Sequence, residues 1–348
     1  MFSRKEFIRS FRSLGDEMLR PSEVFAKAGE ENPFFTPYMI ETAFRKIAEN
    51  YLSEEALERL LSYSDGPEGD RDLFRRKMEG KTVGIIMAGN IPAVGFHDLL
   101  CVLSTGAKSR VKVSSKDRFL IPAIVEILER ISPETASWIS FEDKSFLREY
   151  KGKLDFLLFA GSDSNKALLK DEFPGVPILA RGSRFSLGVL SGKETDEDLR
   201  LLTEDIFLYC GLGCRSISYL FLPEGFDIQR IVKAASVMGE KVKNINPFRS
   251  GYLRQRAIDI MEGVPFIDGG FFIAEESSVP FPPLGSIRYA FYRNSSEIDS
   301  FCSLHRDSIQ KKFTNFGIAQ SPQIDDWMDG INTPEAILEG CGVLPLNR

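Results

Sequence analysis

The spacing of hydrophobic residues divides the chain into a helical beginning and an alternating remainder. Residues 1 to about 80 are strongly charged and follow a helical period, with acidic residues in the first turn of a helix that begins after Ser53. From Lys81 onward, short apolar runs alternate with helical segments. We expect the first 80 residues to pack as cover on the domain that follows, because charged helical faces are usually solvated.

The apolar runs after Lys81 are typical of strands that are buried on both faces. They lie at residues 83–88, 110–114, 153–160, 176–180 and 186–190. Helices between them, in units of about 25–30 residues, predict a parallel sheet covered on both sides. Ligands bind outside the carboxyl ends of such strands, and those ends carry Gly89-Asn90, Ser114-Ser115 and Gly161-Ser162.

A second α/β region is predicted beyond a helix at residues 195–209 that leads to Cys210 and Cys214. Glycines stand just before Cys214, and an apolar run at 217–222 predicts a buried strand after it. A cysteine on such an uncrowded backbone is open to a flat carbonyl group. Taken alone, however, a free cysteine is more often a small core residue.

Composition narrows the choice of function. The 348 residues suggest about two domains, and 43% hydrophobic and 27% charged residues are typical of a soluble globular protein. A net charge of -6 gives no basic footprint for nucleic acid. No apolar run approaches the ~18 residues that span a bilayer, and the N-terminus lacks a signal-peptide core. Five irregularly spaced cysteines favour a reducing cytoplasm, and two histidines leave little for a His-rich metal site.

Three segments together resemble the aldehyde dehydrogenase superfamily, and more closely its luminescence-type (LuxC-like) fatty acyl-CoA reductases. They are residues 84–98, 111–117 and 209–218, and the tail at 316–330 is also similar. The resemblance implies an α/β fold with a Rossmann-type parallel-sheet cofactor domain and a second α/β catalytic domain. The implied divisions are a helical region at 1–80, the nucleotide-binding domain at 81–193, the catalytic domain at 194–320 and a returning segment at 321–348.

The resemblance also implies roles for individual residues. Cys214 would be the nucleophile that holds the acyl group as a thioester, with the Asn90 side chain and the backbone N–H of Cys214 as the oxyanion hole. Lys112 would bond the adenosine ribose, and Gly161 with Ser162 would lie under the pyrophosphate. Two plainer alternatives stay open, since Asn90 suits the turn before a proline and Gly-Ser is a routine helix cap.

Other polar residues near these segments are less certain participants. We expect His97 to be a buried structural group, and Arg215 either to lower the thiol pKa of Cys214 or to interact elsewhere. The remaining cysteines are predicted to pack in the core; they are Cys101, Cys210, Cys302 and Cys341.

The departures from the superfamily pattern refine the expected chemistry. Hydrolytic members carry a glutamate just after the fifth strand, where this chain reads Leu-Ala-Arg-Gly-Ser at 179–183. Without that base, a thioester should persist until hydride reduces it. The superfamily's second glutamate is not evident at 282–285. Ser115 stands where an acidic residue is expected, which leaves room for a 2′-phosphate beside Lys116 and favours NADPH over NADH.

The sequence therefore predicts a cytoplasmic NAD(P)H-dependent enzyme that reduces acyl-CoA, of the fatty acyl class, to an aldehyde through an acyl-cysteine. An acyl-supplying protein partner and a homo-oligomer are compatible with this prediction. Two alternatives remain open: a cysteine-dependent acyltransferase or acyl carrier subunit without nicotinamide chemistry, and a catalytically inactive binding subunit.

Overall fold

The computed structural model describes residues 3–20, 23–68, 70–143 and 153–345, and the chain divides into two compact units. The first unit comprises residues 1–182 and 322–348, and the second comprises residues 183–321. The second unit is thus an insertion in the first. Residues 183–193, which the sequence analysis grouped with the cofactor domain, lie in the inserted unit.

The helical beginning is confirmed, and its helices share one hydrophobic core with the sheet of the first unit. They are α1 (Arg4–Met18), α2 (Glu23–Glu31), α3 (Pro37–Tyr51), α4 (Glu54–Ser62) and α5 (Leu73–Lys77). Ser53 caps α4 by accepting the backbone N–H of Ala56 at 3.3 Å, as the acidic first turn predicted. Phe7, Phe11 and Leu14 of α1 are completely buried, so these helices build the core as well as covering it.

The first unit contains a five-stranded parallel sheet. Its elements are β1 (Thr82–Ile86), α6 (Phe96–Thr105), β2 (Lys108–Lys112), α7 (Leu120–Ile131), β3 (Ile139–Phe141), β4 (Phe156–Ala160), α8 (Asp163–Glu172) and β5 (Ile178–Arg181). The strand order is β3-β2-β1-β4-β5, so the direction of winding reverses between β1 and β4. In open α/β sheets such a reversal opens a crevice at the carboxyl ends of the two strands.

The inserted unit has its own six-stranded sheet of order β11-β6-β7-β10-β9-β8. Its elements are β6 (Phe185–Val189), α9 (Asp196–Phe207), β7 (Ile217–Pro223), α10 (Gln229–Ala234), α11 (Ser236–Val242), α12 (Asn246–Glu262), β8 (Ile267–Asp268), β9 (Ile273–Glu276), β10 (Ser286–Tyr292), α13 (Ser295–Leu304) and β11 (Ile309–Phe313). All pairings are parallel except β8 with β9. The two-domain α/β prediction is confirmed.

The strand at 186–190 requires a correction, because the sequence analysis placed it at the end of the first series of strands. The structure places it in the second sheet as β6, between β7 and β11. The apolar run shows that a strand is present, but its partners are set by contacts distant in sequence. One partner, β11, reads Ile-Gln-Lys-Lys-Phe and was not predicted as a strand.

The chain returns to the first unit through α14 (Thr333–Gly340), which packs on α6. Ile337 and Leu338 of this helix are fully buried in the core of that unit. Within the described ranges, no helix has both the length and the apolar character needed to cross a membrane.

Candidate active site

Cys214 lies in the loop between α9 and β7 of the inserted unit. Helix α9 begins with a capping box between Thr195 and Asp198 and carries a buried face toward its end. Cys210 and Gly211 follow with φ angles of 55° and 73°, so two left-handed residues turn the chain away from the helix axis. A non-glycine residue in this conformation is uncommon, and it marks a loop whose shape is held by its surroundings.

The two cysteines of this loop lie in different environments. Cys214 is partly exposed, and its carbonyl oxygen accepts the Ser186 hydroxyl at 2.9 Å. Cys210 is 2% exposed, and burial raises the pKa of its thiol to about 12. A thiol must ionise to act as a nucleophile. The structure therefore makes Cys210 a packing residue, as the sequence predicted, and leaves Cys214 as the accessible thiol of the loop.

Arg215 interacts with a segment near the end of the inserted unit. Its Nε donates to the carbonyl oxygen of Ala319 at 2.8 Å, and its guanidinium carbon lies 5.5 Å from the centre of the Phe313 ring. The sequence left two alternatives for Arg215, an effect on the thiol pKa of Cys214 or an interaction elsewhere. These contacts are an interaction elsewhere. Influence on the thiol pKa stays a prediction.

In the first unit, the loops that follow β1 and β2 pack directly on each other. A Cβ atom added to Gly89 would lie 2.5 Å from the Cβ of Ser114, so this contact requires glycine. Met87 N donates to Lys112 O at 3.0 Å, which places the end of β2 beside the end of β1. The structure thereby brings the loop with Asn90 next to the loop with Ser115 and Lys116.

The same two loops are tied together by Asp117, a residue to which the sequence analysis gave no role. Its Oδ2 accepts the N–H of Ala93 at 2.9 Å, and its Oδ1 accepts the N–H of Leu120 at 3.2 Å. Asp117 is 4% exposed, and burial raises its pKa to about 6 despite the two hydrogen bonds. The available signal was an aspartate three residues before the first residue of α7, a common arrangement at helix starts.

The remaining predicted cofactor residues are accessible. Ser115 and Lys116 are exposed, and the backbone of their loop is held by two hydrogen bonds. Lys116 N donates to Ser114 Oγ at 3.2 Å, and Asn32 Nδ2 donates to Lys116 O at 2.9 Å. Asn32, from the helical beginning, is a supporting residue that sequence reasoning missed. Lys112 is the last residue of β2 and is partly exposed.

Gly161 and Ser162 follow β4, across the reversal of strand order from β1. Ser162 caps α8 by accepting the N–H of Asn165 at 3.4 Å, and its side chain is exposed. Gly161 N donates to Arg181 O at 3.2 Å. The helix cap is thus observed, while a phosphate at the amides of this helix start stays a prediction.

The end of β5 carries an ion pair that lies inside the first unit. Arg181 Nη1 lies 2.6 Å from Asp98 Oδ1, and Arg181 Nη2 donates to Thr333 Oγ1 at 2.7 Å. Burial by itself would raise the pKa of Asp98, but the Arg181 guanidinium and the neighbouring His97 together outweigh burial and hold that pKa below the usual range. The neighbouring His97 is buried, as expected, with its Nε2 2.9 Å from Ile324 O.

A pocket of about 190 Å³ lies beside the cysteine loop of the inserted unit. It is lined by residues 210–213 and 216–218 of the loop and strand, by residues 281–287, and by Phe185, Phe207 and Phe248. Cys214 itself is not among these lining residues. Residues 282–285 carry no carboxylate, so the structure provides no equivalent of the superfamily's second glutamate there. The wall also contains the buried hydroxyl of Ser286, which has no hydrogen-bond partner within the described chain.

The residues at the crevice of the first unit fit a nucleotide. The glycine-only contact at Gly89, the exposed Ser115 and Lys116, and the N-terminus of α8 lie at the strand ends where dinucleotides bind. Among the described residues, no group of three or more His, Cys, Asp or Glu side chains could hold a metal ion. Asn90 belongs to the first unit and Cys214 to the inserted one, and their cooperation stays a prediction.

Comparison with known proteins gave similarity in structure but not in sequence. No family model and no curated protein sequence matches the chain. Among solved structures, an oxidoreductase from Marinobacter aquaeolei has 13% identity and a TM-score of 0.64 over 89% of this chain and 73% of that one. The aldehyde dehydrogenase KauB from Pseudomonas aeruginosa has 11% identity and a TM-score of 0.65, covering 90% and 76%.

A third similar structure is an NAD-dependent aldehyde dehydrogenase from Sinorhizobium meliloti. It has 13% identity and a TM-score of 0.65, over 92% of this chain and 72% of that one. Identities this low show a shared fold and leave substrate and activity open. The chain has the two-domain α/β fold of aldehyde dehydrogenases.

Proposed function

We propose that this protein is an NAD(P)H-dependent acyl-CoA reductase of the LuxC-like kind, which releases an aldehyde. Two features together support the proposal: Cys214 is accessible, and the end of β5 carries no carboxylate. Arg181 there is held by Asp98 in the interior of the first unit. A thioester on Cys214 would therefore have no positioned base at that place to direct water against it.

The expected reaction has two steps that leave the enzyme unchanged. The Cys214 thiolate attacks the carbonyl carbon of acyl-CoA, and the C–S bond to coenzyme A breaks, so that the coenzyme A thiolate leaves and takes a proton. NADPH supplies a hydride when it is bound. The acyl carbon is thereby reduced to the aldehyde level, its bond to sulfur breaks, and the Cys214 thiolate is restored.

The chain's own residues contribute positioning and charge stabilisation in this scheme. The backbone N–H of Cys214 and the Asn90 amide are the proposed donors to the oxygen that becomes negative in each step, a contribution typically worth about 10²–10³ in rate per donor. Ser186 fixes the backbone of the nucleophile through the carbonyl of Cys214. Lys112, Gly161 and Ser162 are the proposed nucleotide contacts.

NADPH is the favoured reductant because Ser115 offers space, and Lys116 a positive charge, for a 2′-phosphate. NADH is the alternative, since the name of one similar structure specifies NAD dependence. We also propose a cytoplasmic location, in keeping with five free thiols. A protein that supplies the acyl group and a second copy of this chain are compatible partners.

Mass spectrometry of the intact protein after addition of a long-chain acyl-CoA tests the proposal. We expect an acyl adduct on the wild type and on Cys302→Ala, a control at another partly exposed cysteine, and none on Cys214→Ala. Addition of NADPH should discharge the adduct, with one NADPH consumed for each aldehyde formed. A wild type without an adduct, or an undiminished adduct on Cys214→Ala, would contradict the nucleophile.

The same experiment separates the alternatives. An adduct that forms on Cys214 but is never discharged by NADPH or NADH would indicate an acyltransferase or acyl carrier subunit. The absence of a carboxylate at residues 282–285, where the superfamily has its second glutamate, is the feature that motivates the other alternative, an inactive binding subunit. Nucleotide binding without any adduct would indicate an inactive binding subunit.

A further inference from the structure

The loop that carries Cys214 is joined by two hydrogen bonds to a segment about a hundred residues later, Gly317–Gln320. Arg215 Nε donates to Ala319 O at 2.8 Å, and Gln320 Nε2 donates to Ser216 Oγ at 3.0 Å. Both contacts lie within two residues of the cysteine, and Ser186 holds Cys214 O from the side of β6. The geometry of the nucleophile therefore depends on the conformation of residues 317–320.

That conformation is organised by one buried carboxylate, Asp205, near the end of α9. Asp205 Oδ2 accepts the N–H of Gly317 at 2.6 Å, and Oδ1 accepts those of Ala319 and Gln320 at 3.0 and 3.4 Å. The residue is 1% exposed. Burying a carboxylate is costly unless hydrogen bonds replace its water, and here three backbone donors converge on one side chain. The turn at 317–320 is thus built around Asp205.

The side chain of Gln320 connects the turn at 317–320 to the loop that carries Cys214. Its Nε2 also donates to Asp205 O at 2.8 Å, and a backbone carbonyl can only accept, so the side-chain amide has a fixed orientation. The second N–H of the same group is then directed at Ser216 Oγ. Ser216 is 1% exposed and its oxygen is used as an acceptor, so its own proton remains to be donated. Ser216 also lines the pocket.

We propose that Asp205 and Gln320 are positioning residues for Cys214, which act on the nucleophile through Ser216 and Arg215. Asp205 shapes the 317–320 turn, and the turn fixes the backbone on the C-terminal side of the cysteine while Ser186 fixes its carbonyl. The consequence for acyl transfer rests on the proposed function. The consequence for the reactivity of the Cys214 thiol does not, because any thiol reagent reports it.

The decisive variant is Asp205→Asn. An asparagine must place its NH₂ group opposite either Gly317 N or the pair Ala319 N and Gln320 N, so at least one hydrogen bond becomes a contact between two donors. Glu204→Gln is the matched control, since it removes one carboxylate from the neighbouring position of the same helix, where the side chain is partly exposed. Gln320→Ala breaks the second link and leaves Asp205 in place.

Two readouts test the proposal. The first is the pH profile of alkylation of Cys214 by iodoacetamide, followed by mass spectrometry with Cys214→Ala as the blank. We expect Asp205→Asn and Gln320→Ala to give a profile that differs from that of the wild type, because the surroundings of the thiol change with the loop. The second is steady-state reduction of acyl-CoA, where kcat should fall about tenfold or more, as for misplaced catalytic groups, with KM for acyl-CoA nearly unchanged.

Glu204→Gln should match the wild type in both readouts. A folded Asp205→Asn with the wild-type alkylation profile and kcat would overturn the proposal. Should Asp205→Asn fail to fold, Gln320→Ala and Ser216→Ala, which removes only the receiving hydroxyl, decide the question by the same criteria. If the wild type does not reduce acyl-CoA, the proposed function fails, but the alkylation profiles still decide whether Asp205 and Gln320 position the thiol.

Discussion

Arg181 Nη1 donates to Asp98 Oδ1 at 2.6 Å, and the two side chains are only 4% and 2% exposed. The pair joins the end of β5 to the first turn of α6 and reaches α14 through Thr333. The side chain that follows Ala180 is therefore engaged inside the first unit. The resemblance to aldehyde dehydrogenases implies that hydrolytic members carry their base at this position. The ion pair therefore bears on the stability of the first unit and, under the proposed function, on the fate of a thioester.

Removing one partner of this pair should be strongly destabilising. Arg181→Met would leave the Asp98 carboxylate buried without its cation, which typically costs about 3–5 kcal/mol. The double variant Arg181→Met with Asp98→Leu should recover most of the loss, because no uncompensated charge remains. Urea unfolding of the single and double variants measures the difference. Strictly additive losses in the double variant would show that the two side chains do not act as a pair.

The contact between Gly89 and Ser114 should control nucleotide binding. In Gly89→Ala the new Cβ would lie 2.5 Å from the Ser114 Cβ, so the loops after β1 and β2 must separate. We expect the nucleotide affinity to fall about tenfold or more, as for a displaced positioning group. Titration of NADPH followed by its fluorescence measures this. Adding Ser114→Gly removes the nearest clash and should restore part of the affinity; a double variant no better than Gly89→Ala alone would exclude this cause.

Asp117 predicts a dependence of stability on pH. Burial raises its pKa from 3.8 to about 6, so the folded state binds this proton more tightly than the unfolded state. The raised pKa of Asp117 therefore contributes up to about 3 kcal/mol to the free energy of unfolding. This contribution is fully present below about pH 4 and is lost as the pH rises through 6. Urea unfolding of the wild type and Asp117→Asn from pH 4 to 8 measures this contribution as the difference between their free energies of unfolding at each pH. A difference in unfolding free energy that stays constant with pH would contradict the shifted pKa.

Lys116 should distinguish the two nicotinamide nucleotides. It is exposed on the loop after β2, where it can pair with a 2′-phosphate. Lys116→Ala should weaken NADPH about five- to tenfold, which corresponds to roughly 1 kcal/mol for an exposed ion pair, and should leave NADH unchanged. Arg118→Ala is the control, since Arg118 is held by Glu31 at 2.8 Å. Equal losses for both nucleotides in Lys116→Ala would assign the 2′-phosphate to another site.

The cysteines of the active-site loop should react at very different rates. Burial raises the pKa of Cys210 to about 12, so its thiol stays protonated at neutral pH. Brief treatment with iodoacetamide should therefore label Cys214 and spare Cys210, and peptide mapping would show this. Cys210→Ser should leave the labelling of Cys214 intact. Prominent modification of Cys210 in the folded protein would contradict the observed burial.

The fold was predictable where the pattern is local. Buried strands such as β1 and β7 are continuous apolar runs, and Ser53 marks a helix start, so each element could be assigned from its own residues. Sheet membership was not predictable in the same way. β6 has the composition of any buried strand, and its neighbour β11 carries two lysines, so only long-range pairing places both in the second sheet.

The residues of the candidate site likewise fall into those that could be predicted from local sequence and those that could not. Cys214, Asn90 and Ser162 stand in segments whose glycines, prolines and helix caps can be read locally. Asp117 and Asp205 escaped notice because their roles are to accept backbone N–H groups, and those of Ala93 or Gly317 become neighbours only after folding. A contact between a carboxylate and main-chain N–H groups distant in sequence leaves no local pattern to indicate it.

The insertion of residues 183–321 in the first unit has a consequence for the order of synthesis. The partner strand of β6 ends at Phe313, and the turn that holds the cysteine loop ends at Gln320. A growing chain therefore carries Cys214 for about a hundred residues before its loop can be completed. The first unit is completed later still, when α14 has been synthesised, although its strands are synthesised before the inserted unit. The inserted unit is the first to emerge whole from the ribosome, and translation therefore sets the order in which the two units can complete their folds.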